Sequence, residues 1–138
     1  MNKIYFQIFF ISFLFSLLVG SGFYGFGVDY YSAYYKSNLL WGGYRDQLGY
    51  MISTFTIYKI NFGVYIVSFL LSLSVGLVLY KSTYCYFYNK NTWLFFLLYV
   101  MLIHTWPIIM SASNAMRQGL SMSFLFLALY FLLSKKYL

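Results

Sequence analysis

The sequence has little charge, and acidic residues are the scarcest charged type. Only 8% of its 138 residues are charged, and Asp29 and Asp46 are the two acidic residues. A soluble domain carries about 25% charged residues, so a globule of this size would lack the charged groups needed to cover its surface. Because 62% of the residues are apolar, we expect much of the chain to face lipid. The composition excludes an ordinary soluble domain.

Cysteine, proline and histidine each occur once. Because Cys85 is alone, the chain cannot form an internal disulfide. His104 has no nearby carboxylate or thiol in the sequence, so we expect no metal site and no cofactor. Of the nine basic residues, only Lys135 and Lys136 are adjacent. No basic stripe is present for a phosphate backbone to follow, so we expect no nucleic-acid partner.

Long uncharged runs separate the few charges. They contain 25 residues after Lys3, 21 after Lys59, 26 after Lys90 and 17 after Arg117. One membrane-spanning helix needs about 20 mainly apolar residues. The sequence therefore predicts an all-α, polytopic integral membrane helical bundle, a single transmembrane domain over residues 1–138. We place four transmembrane helices near residues 4–26, 61–80, 92–110 and 115–133, with a loop over 29–59.

A cleaved signal peptide is the alternative for the first run. The apolar region of a signal peptide has about 7–15 residues and ends at a small-residue cleavage site. The run that begins at Ile4 is longer, and its first small cluster, at residues 20–22, is followed by the bulky Phe23. These features favour an uncleaved transmembrane helix.

The basic residues predict a cytoplasmic N-terminus. In that orientation the cytoplasmic side carries five cations: Lys3, Lys81, Lys90, Lys135 and Lys136. The opposite side carries four cations and both acids: Lys36, Arg45, Lys59, Arg117, Asp29 and Asp46. An excess of basic residues in short cytoplasmic loops is the usual pattern, and here the excess is one residue.

Small residues recur at four-residue spacing in two of the predicted helices. These residues are Ser68, Ser72 and Gly76 in the second helix, and Ala115, Gly119 and Ser123 in the fourth. In lipid, helices associate through close backbone packing, so this spacing predicts helix contact faces.

The third predicted helix contains His104 and Pro107 in its outer half. Pro107 lacks a backbone donor and crowds the carbonyl group of Ile103, so we expect a kink there. Two interpretations of His104 remain open. It could hydrogen-bond a carbonyl group beside the kink, or it could act in catalysis as a base.

A polar stretch enters the fourth predicted helix. If the helix includes it, Asn114, Arg117, Gln118 and Ser121 share one face, and Ser111 or Ser113 caps the helix start. The guanidinium group of Arg117 and the positive end of the helix dipole could together hold a phosphate or carboxylate group. The alternative is an arginine that reaches to lipid headgroups.

Three motifs resemble the EpsG-type Wzy polymerases, which polymerise O-antigen, capsule or exopolysaccharide repeat units. These motifs are Asp29-x4-Tyr34, the segment from Arg45-Asp46 to Gly49-Tyr50, and Ser113-Asn114-Ala115-Met116-Arg117-Gln118-Gly119-Leu120 ahead of an apolar helix. Family members often have a glutamate ahead of the Gly-Tyr pair, where this chain has Asp46. The resemblance covers only the N-terminal part of the family, so we expect a truncated or split polymerase.

The resemblance implies an enzyme of the bacterial inner membrane. Its substrate would be an oligosaccharide linked to undecaprenyl diphosphate on the outer face, and membrane lipid, a flippase and a chain-length regulator would be its partners. Arg117 and Arg45 would stabilise the departing phosphates, and Asp29, Asp46 or His104 would be the base. Further substrate contacts are expected at Tyr34, Tyr50, Asn114 and Gln118. The alternatives are an O-antigen ligase, another lipid-linked-sugar glycosyltransferase, and a small membrane protein without enzymatic activity.

Overall fold

The computed structural model describes residues 3–27, 52, 54–57, 60–87 and 92–135. Within these described residues we number five helices: α1 (Lys3–Gly20), α2 (Phe62–Phe87), α3 (Thr92–Ile103), α4 (Trp106–Ser113) and α5 (Met116–Lys135). A short antiparallel hairpin precedes α2, with β1 (Thr56–Ile57) paired to β2 (Ile60–Asn61) and Thr56 opposite Asn61. The described part of the chain is therefore mainly helical, as the sequence predicts.

In the part of the chain that the structure describes, three helices are long and apolar enough to cross a membrane. The qualifying segments are Lys3–Gly20, Phe62–Thr83 and Met116–Ser134. The segments Trp93–Ile103 and Trp106–Ser113 qualify together, with a bend of 57° between them, and would form a fourth. These three or four segments correspond to the four predicted from the uncharged runs.

The bend between α3 and α4 confirms the expected kink near Pro107. Thr105 has extended backbone angles, φ −69° and ψ 145°, and Pro107 lies in the first turn of α4. Proline is tolerated in a first helical turn because the backbone N–H groups there have no partner within the helix. The kink is therefore a complete break that lies just before the proline.

The helix α1 ends at Gly20, about six residues earlier than the sequence indicated. Gly22 adopts φ +78°, a left-handed conformation that glycine adopts without steric cost. Its N–H donates to the Val19 carbonyl at 3.0 Å, while the Phe23 N–H donates to the Leu18 carbonyl at 3.2 Å. These two bonds form the Schellman motif that commonly ends helices.

The helix α2 lies at the centre and contacts all four other helices. It runs antiparallel to α1, since Tyr5 meets Tyr80 with ring centroids 5.3 Å apart. It runs parallel to α5, because Val67 lies beside Gly119 near both helix starts. Farther along, Lys81 Nζ lies 5.8 Å from the ring centre of Tyr130. Consequently α2 and α5 begin at the same end of the bundle, which we call the start end.

The small-residue faces are helix contacts, as predicted. A methyl group at Gly76 would lie 2.7 Å from Ile8 Cγ2 and 2.8 Å from Tyr99 Cζ. A methyl group at Gly119 would overlap the Ser111 carbonyl oxygen. The serines of both faces, Ser68, Ser72 and Ser123, are buried. Close approach at Gly76 and Gly119 therefore sets the spacing between neighbouring helices.

The buried serines on these faces are paired within their own helices. The Ser68 hydroxyl donates to the Val64 carbonyl at 2.6 Å, and the Ser72 hydroxyl donates to the Ser68 carbonyl at 2.8 Å. Ser123 donates to the Gly119 carbonyl at 2.7 Å. A buried hydroxyl with such a partner avoids the cost of an unpaired polar group in an apolar surrounding.

Candidate functional site

The candidate site lies at the start end of the bundle. Four of the nine predicted site residues, His104, Asn114, Arg117 and Gln118, are within the part of the chain that the structure describes. The other five lie outside the described residues: Asp29, Tyr34, Arg45, Asp46 and Tyr50.

Asn114 links the end of α4 to the segment that follows α1. It is the residue after the last turn of α4, and its backbone N–H donates to the Met110 carbonyl at 2.9 Å. Its side chain is buried against Gly27, where a methyl group would overlap the Asn114 amide. Gly27 precedes Asp29 by two positions in the sequence. Asn114 therefore lies where the chain enters the predicted outer loop.

Asn114 does not share a helix face with the polar residues that follow it. The helix α5 begins at Met116, so Asn114 lies outside it. Asn114 is buried, whereas Arg117, Gln118 and Ser121 are exposed. The expectation of one common face for these four side chains is wrong, because a helix break separates the first from the other three.

Neither Ser111 nor Ser113 caps α5, contrary to expectation. Both lie inside α4, which extends through Ser113. The Ser113 hydroxyl donates to the Ile109 carbonyl at 2.9 Å. The Ser111 hydroxyl makes a long contact of 3.9 Å to Met122 Sδ. Each serine thus has a partner of its own, away from the first turn of α5.

Arg117 and Gln118 are exposed in the first turn of α5. The N-terminus of a helix carries partial positive charge, which adds to the permanent charge of the guanidinium group. The cations Lys3 and Lys81 belong to the opposite end of the bundle. Among the described residues, the charge at the start end is therefore positive, which favours an anion there.

His104 lies in the break between α3 and α4. Its Nδ1 is 2.8 Å from the Val100 carbonyl oxygen. Since a carbonyl only accepts, Nδ1 is the donor in this contact. The ring is exposed and packs edge-on against Phe15 and Tyr24, with centroids 5.6 and 5.9 Å away. His104 therefore hydrogen-bonds a helix carbonyl group beside the kink, which is the first of its two interpretations.

The helix α4 separates His104 from the residues near Arg117. Its eight residues rise by about 12 Å. The segment that follows α1 contacts both ends of α4, because Tyr24 packs on His104 and Gly27 lies against Asn114. The structure thus connects His104 with Asn114 along this segment but does not bring them into one cluster.

Asn61 is a further polar residue at the start end and is not among the predicted site residues. It lies just before α2 and is 6% exposed. Its Oδ1 accepts the Gly63 N–H at 2.8 Å, while its buried Nδ2 has no hydrogen-bond partner among the described residues. An asparagine immediately ahead of an apolar run is a helix-start signal, so the capping role could have been predicted.

A mainly apolar groove of about 470 Å³ lies between α1 and α3. Phe6, Phe10, Trp93 and Phe96 line it, together with the polar side chain of Gln7. None of the four predicted site residues that the structure describes lines this groove. It is therefore distinct from the polar residues at the start end.

The described residues hold no group of three or more His, Cys, Asp or Glu side chains that could bind a metal ion. No protein-family model matches the chain, and no curated protein and no solved structure matches it. The functional assignment therefore depends on the sequence motifs and on the geometry at the start end.

Proposed function

We propose that the chain is a multi-pass protein of the bacterial inner membrane with a cytoplasmic N-terminus. The long apolar segments support this proposal. So do large apolar side chains on the outer faces of the helices, such as Phe10 at 52% and Leu125 at 60% exposure. In water these side chains would be unfavourable, whereas lipid would cover them.

Within that membrane, we propose that the chain acts as a polysaccharide repeat-unit polymerase. The observation that carries the proposal is the packing of Asn114 against Gly27. This contact joins the motif of residues 113–120 to Gly27, which precedes Asp29 by two positions in the sequence. The loop contains Asp29-x4-Tyr34 and the segment from Arg45 to Tyr50. In the proposed site these loop motifs and the motif of residues 113–120 contact one substrate, and the Gly27–Asn114 contact supports this proposal.

The proposed reaction moves a growing sugar chain between lipid carriers. The bond between the anomeric carbon and the diphosphate oxygen of undecaprenyl diphosphate breaks, and the electron pair leaves with the lipid diphosphate. A hydroxyl oxygen of the next repeat unit bonds to that carbon, and its proton passes to a base. Asp29, Asp46 and His104 are the candidate bases.

Cationic groups would stabilise the negative charge that develops on the leaving diphosphate. Arg117 is suited to this role because its planar guanidinium group can donate two parallel hydrogen bonds to phosphate oxygens. It lies exposed in the first turn of α5, where the helix dipole adds positive charge. In the proposed site Arg45 assists it, and Tyr34, Tyr50, Asn114 and Gln118 contact the substrate.

The Arg117→Ala variant tests this proposal in a strain whose surface polysaccharide depends on this chain. We expect the polymer to shorten to one or a few repeat units, while immunoblots show normal levels of the protein in the membrane. Ser121→Ala is the matched control, since Ser121 is exposed one turn farther along α5. Unchanged long polymer in Arg117→Ala would contradict the proposal. Loss of attachment to lipid A with normal chain length would instead support the ligase alternative.

A further inference from the structure

The side-chain amide of Asn61 has one satisfied end and one unsatisfied end. Its Oδ1 accepts the N–H of Gly63 at 2.8 Å. Because that partner can only donate, the amide orientation is fixed and Nδ2 must point away from Gly63. Nδ2 is buried and has no acceptor within hydrogen-bond distance among the described residues.

A buried donor without an acceptor is destabilising, so native structures rarely keep one. The other polar side chains buried in the helices around it, such as Ser68 and Ser123, donate to carbonyl groups of their own helices. Asn61 differs from these serines because it lies at the start of α2 and has a second, unused polar atom. Nδ2 is therefore a donor that none of the described residues uses.

The surroundings of Asn61 favour a negatively charged acceptor. The helices α2 and α5 run parallel and both begin at this end, so their partial positive charges point in the same direction. Arg117, in the first turn of α5, contributes a full positive charge there. An oxygen of an anionic group would be stabilised by this field and would also satisfy Nδ2.

We propose that Nδ2 of Asn61 donates a hydrogen bond to a phosphate oxygen of a lipid-borne phosphate group. The inference rests on the proposed function, in which a prenyl diphosphate is handled at the same end of the bundle. Asn61 then has two roles that one side chain can fill together. Its oxygen caps α2, and its nitrogen binds the phosphate group.

The test uses the whole chain in phosphatidylcholine nanodiscs, titrated with farnesyl diphosphate in a calorimeter. Asn61→Ser retains an oxygen that can cap α2 but removes the donor nitrogen. A hydrogen bond to a charged group corresponds to about a 10- to 100-fold change in Kd, so we expect weakening by that factor. Asn61→Asp also retains the cap but places negative charge at the site, so we expect greater weakening. Ser82→Ala, toward the opposite end of α2, is the matched control.

Two control measurements test whether binding needs the phosphate group and whether Asn61→Ser remains stably folded. Farnesol, which lacks phosphate, should bind wild type and Asn61→Ser equally. The midpoint of thermal unfolding without ligand should be the same or higher in Asn61→Ser, because the variant removes an unsatisfied donor. A lower midpoint would show that the chain itself pairs Nδ2 and would overturn the inference.

Added phosphatidylglycerol distinguishes the two sources of phosphate. If phosphatidylglycerol competes with farnesyl diphosphate and the competition depends on Asn61, then Asn61 binds bilayer headgroups. If phosphatidylglycerol does not compete, then Asn61 binds the prenyl diphosphate. Equal Kd values for wild type and Asn61→Ser would overturn the inference, as would a wild type that binds no farnesyl diphosphate. Polymer length in cells judges the polymerase proposal separately, so the two can fail independently.

Discussion

The hydroxyl oxygen of Tyr99 lies 2.7 Å from the hydroxyl oxygen of Ser12, which is 87 positions earlier in the chain. Tyr99 also donates to the Ser72 carbonyl at 2.9 Å. These three residues belong to α3, α1 and α2 respectively, so one side chain joins three helices. Tyr99 and Ser12 are both fully buried. In an apolar surrounding without water, such bonds help to fix how helices pack.

The Tyr99→Phe variant should destabilise the bundle without changing its shape. It retains the ring that packs on Gly76 but loses the hydroxyl bonds to Ser12 and Ser72. We expect a loss of about 1 kcal/mol in the free energy of unfolding, the magnitude found for hydrogen bonds between helices in membranes. Unfolding in mixed micelles with increasing dodecyl sulfate would measure it.

Tyr130→Phe is the matched control for that measurement. Its hydroxyl makes a long contact of 3.4 Å to the hydroxyl of Tyr5. Ser12→Ala, combined with Tyr99→Phe, completes a double-mutant cycle that isolates the energy of the shared bond. Equal stability of wild type and Tyr99→Phe would show that the two hydroxyl bonds of Tyr99 contribute nothing to packing.

The Gly119→Ala variant tests whether close backbone approach holds α4 against α5. The added methyl group would overlap the Ser111 carbonyl oxygen and would crowd Val67. Because backbone atoms cannot move aside as a flexible side chain can, we expect a loss of about 1–3 kcal/mol in stability. The same detergent titration measures it, with the exposed Ser121→Ala as control. A loss no larger than that of the control would show that α4 and α5 separate easily.

Much of the helical framework could be predicted from the sequence, because its causes are local. The uncharged runs predict apolar helices, the spacing of small residues predicts contact faces, and Pro107 predicts the break before α4. The Tyr99–Ser12 bond could not be predicted, since nothing in either local sequence indicates a partner 87 positions away. The position of Asn114 was missed for a different reason. The two serines expected to cap α5, Ser111 and Ser113, belong instead to the short helix α4.

Introduced cysteines would test the proposed orientation in the membrane. Ser21 and Ser82 are both exposed, and they lie toward opposite ends of the bundle. In a Cys85→Ala background, a membrane-impermeant maleimide should label Ser21→Cys in intact spheroplasts. Ser82→Cys should be labelled only after permeabilisation, because the excess of basic residues predicts that its end is cytoplasmic. The reverse labelling pattern would contradict a cytoplasmic N-terminus.

The contact between Gly27 and Asn114 gives the most direct test of the candidate site. In Gly27→Ala the added methyl group would overlap the Asn114 amide, so one of the two segments must move. We expect a loss of about 1–3 kcal/mol in stability and shorter polymer in cells. Ser21→Ala, exposed in the same segment, should leave both unchanged.

Asn114→Ala would create room for the methyl group of Gly27→Ala. The double variant should therefore lose less free energy of unfolding than the two single variants lose together. We expect the difference, the coupling energy, to be about 1 kcal/mol. If the contact only supports the fold, the double variant should regain polymer length together with stability. If the Asn114 amide contacts substrate, stability should return while the polymer stays short. Strictly additive losses would show that Gly27 and Asn114 do not touch.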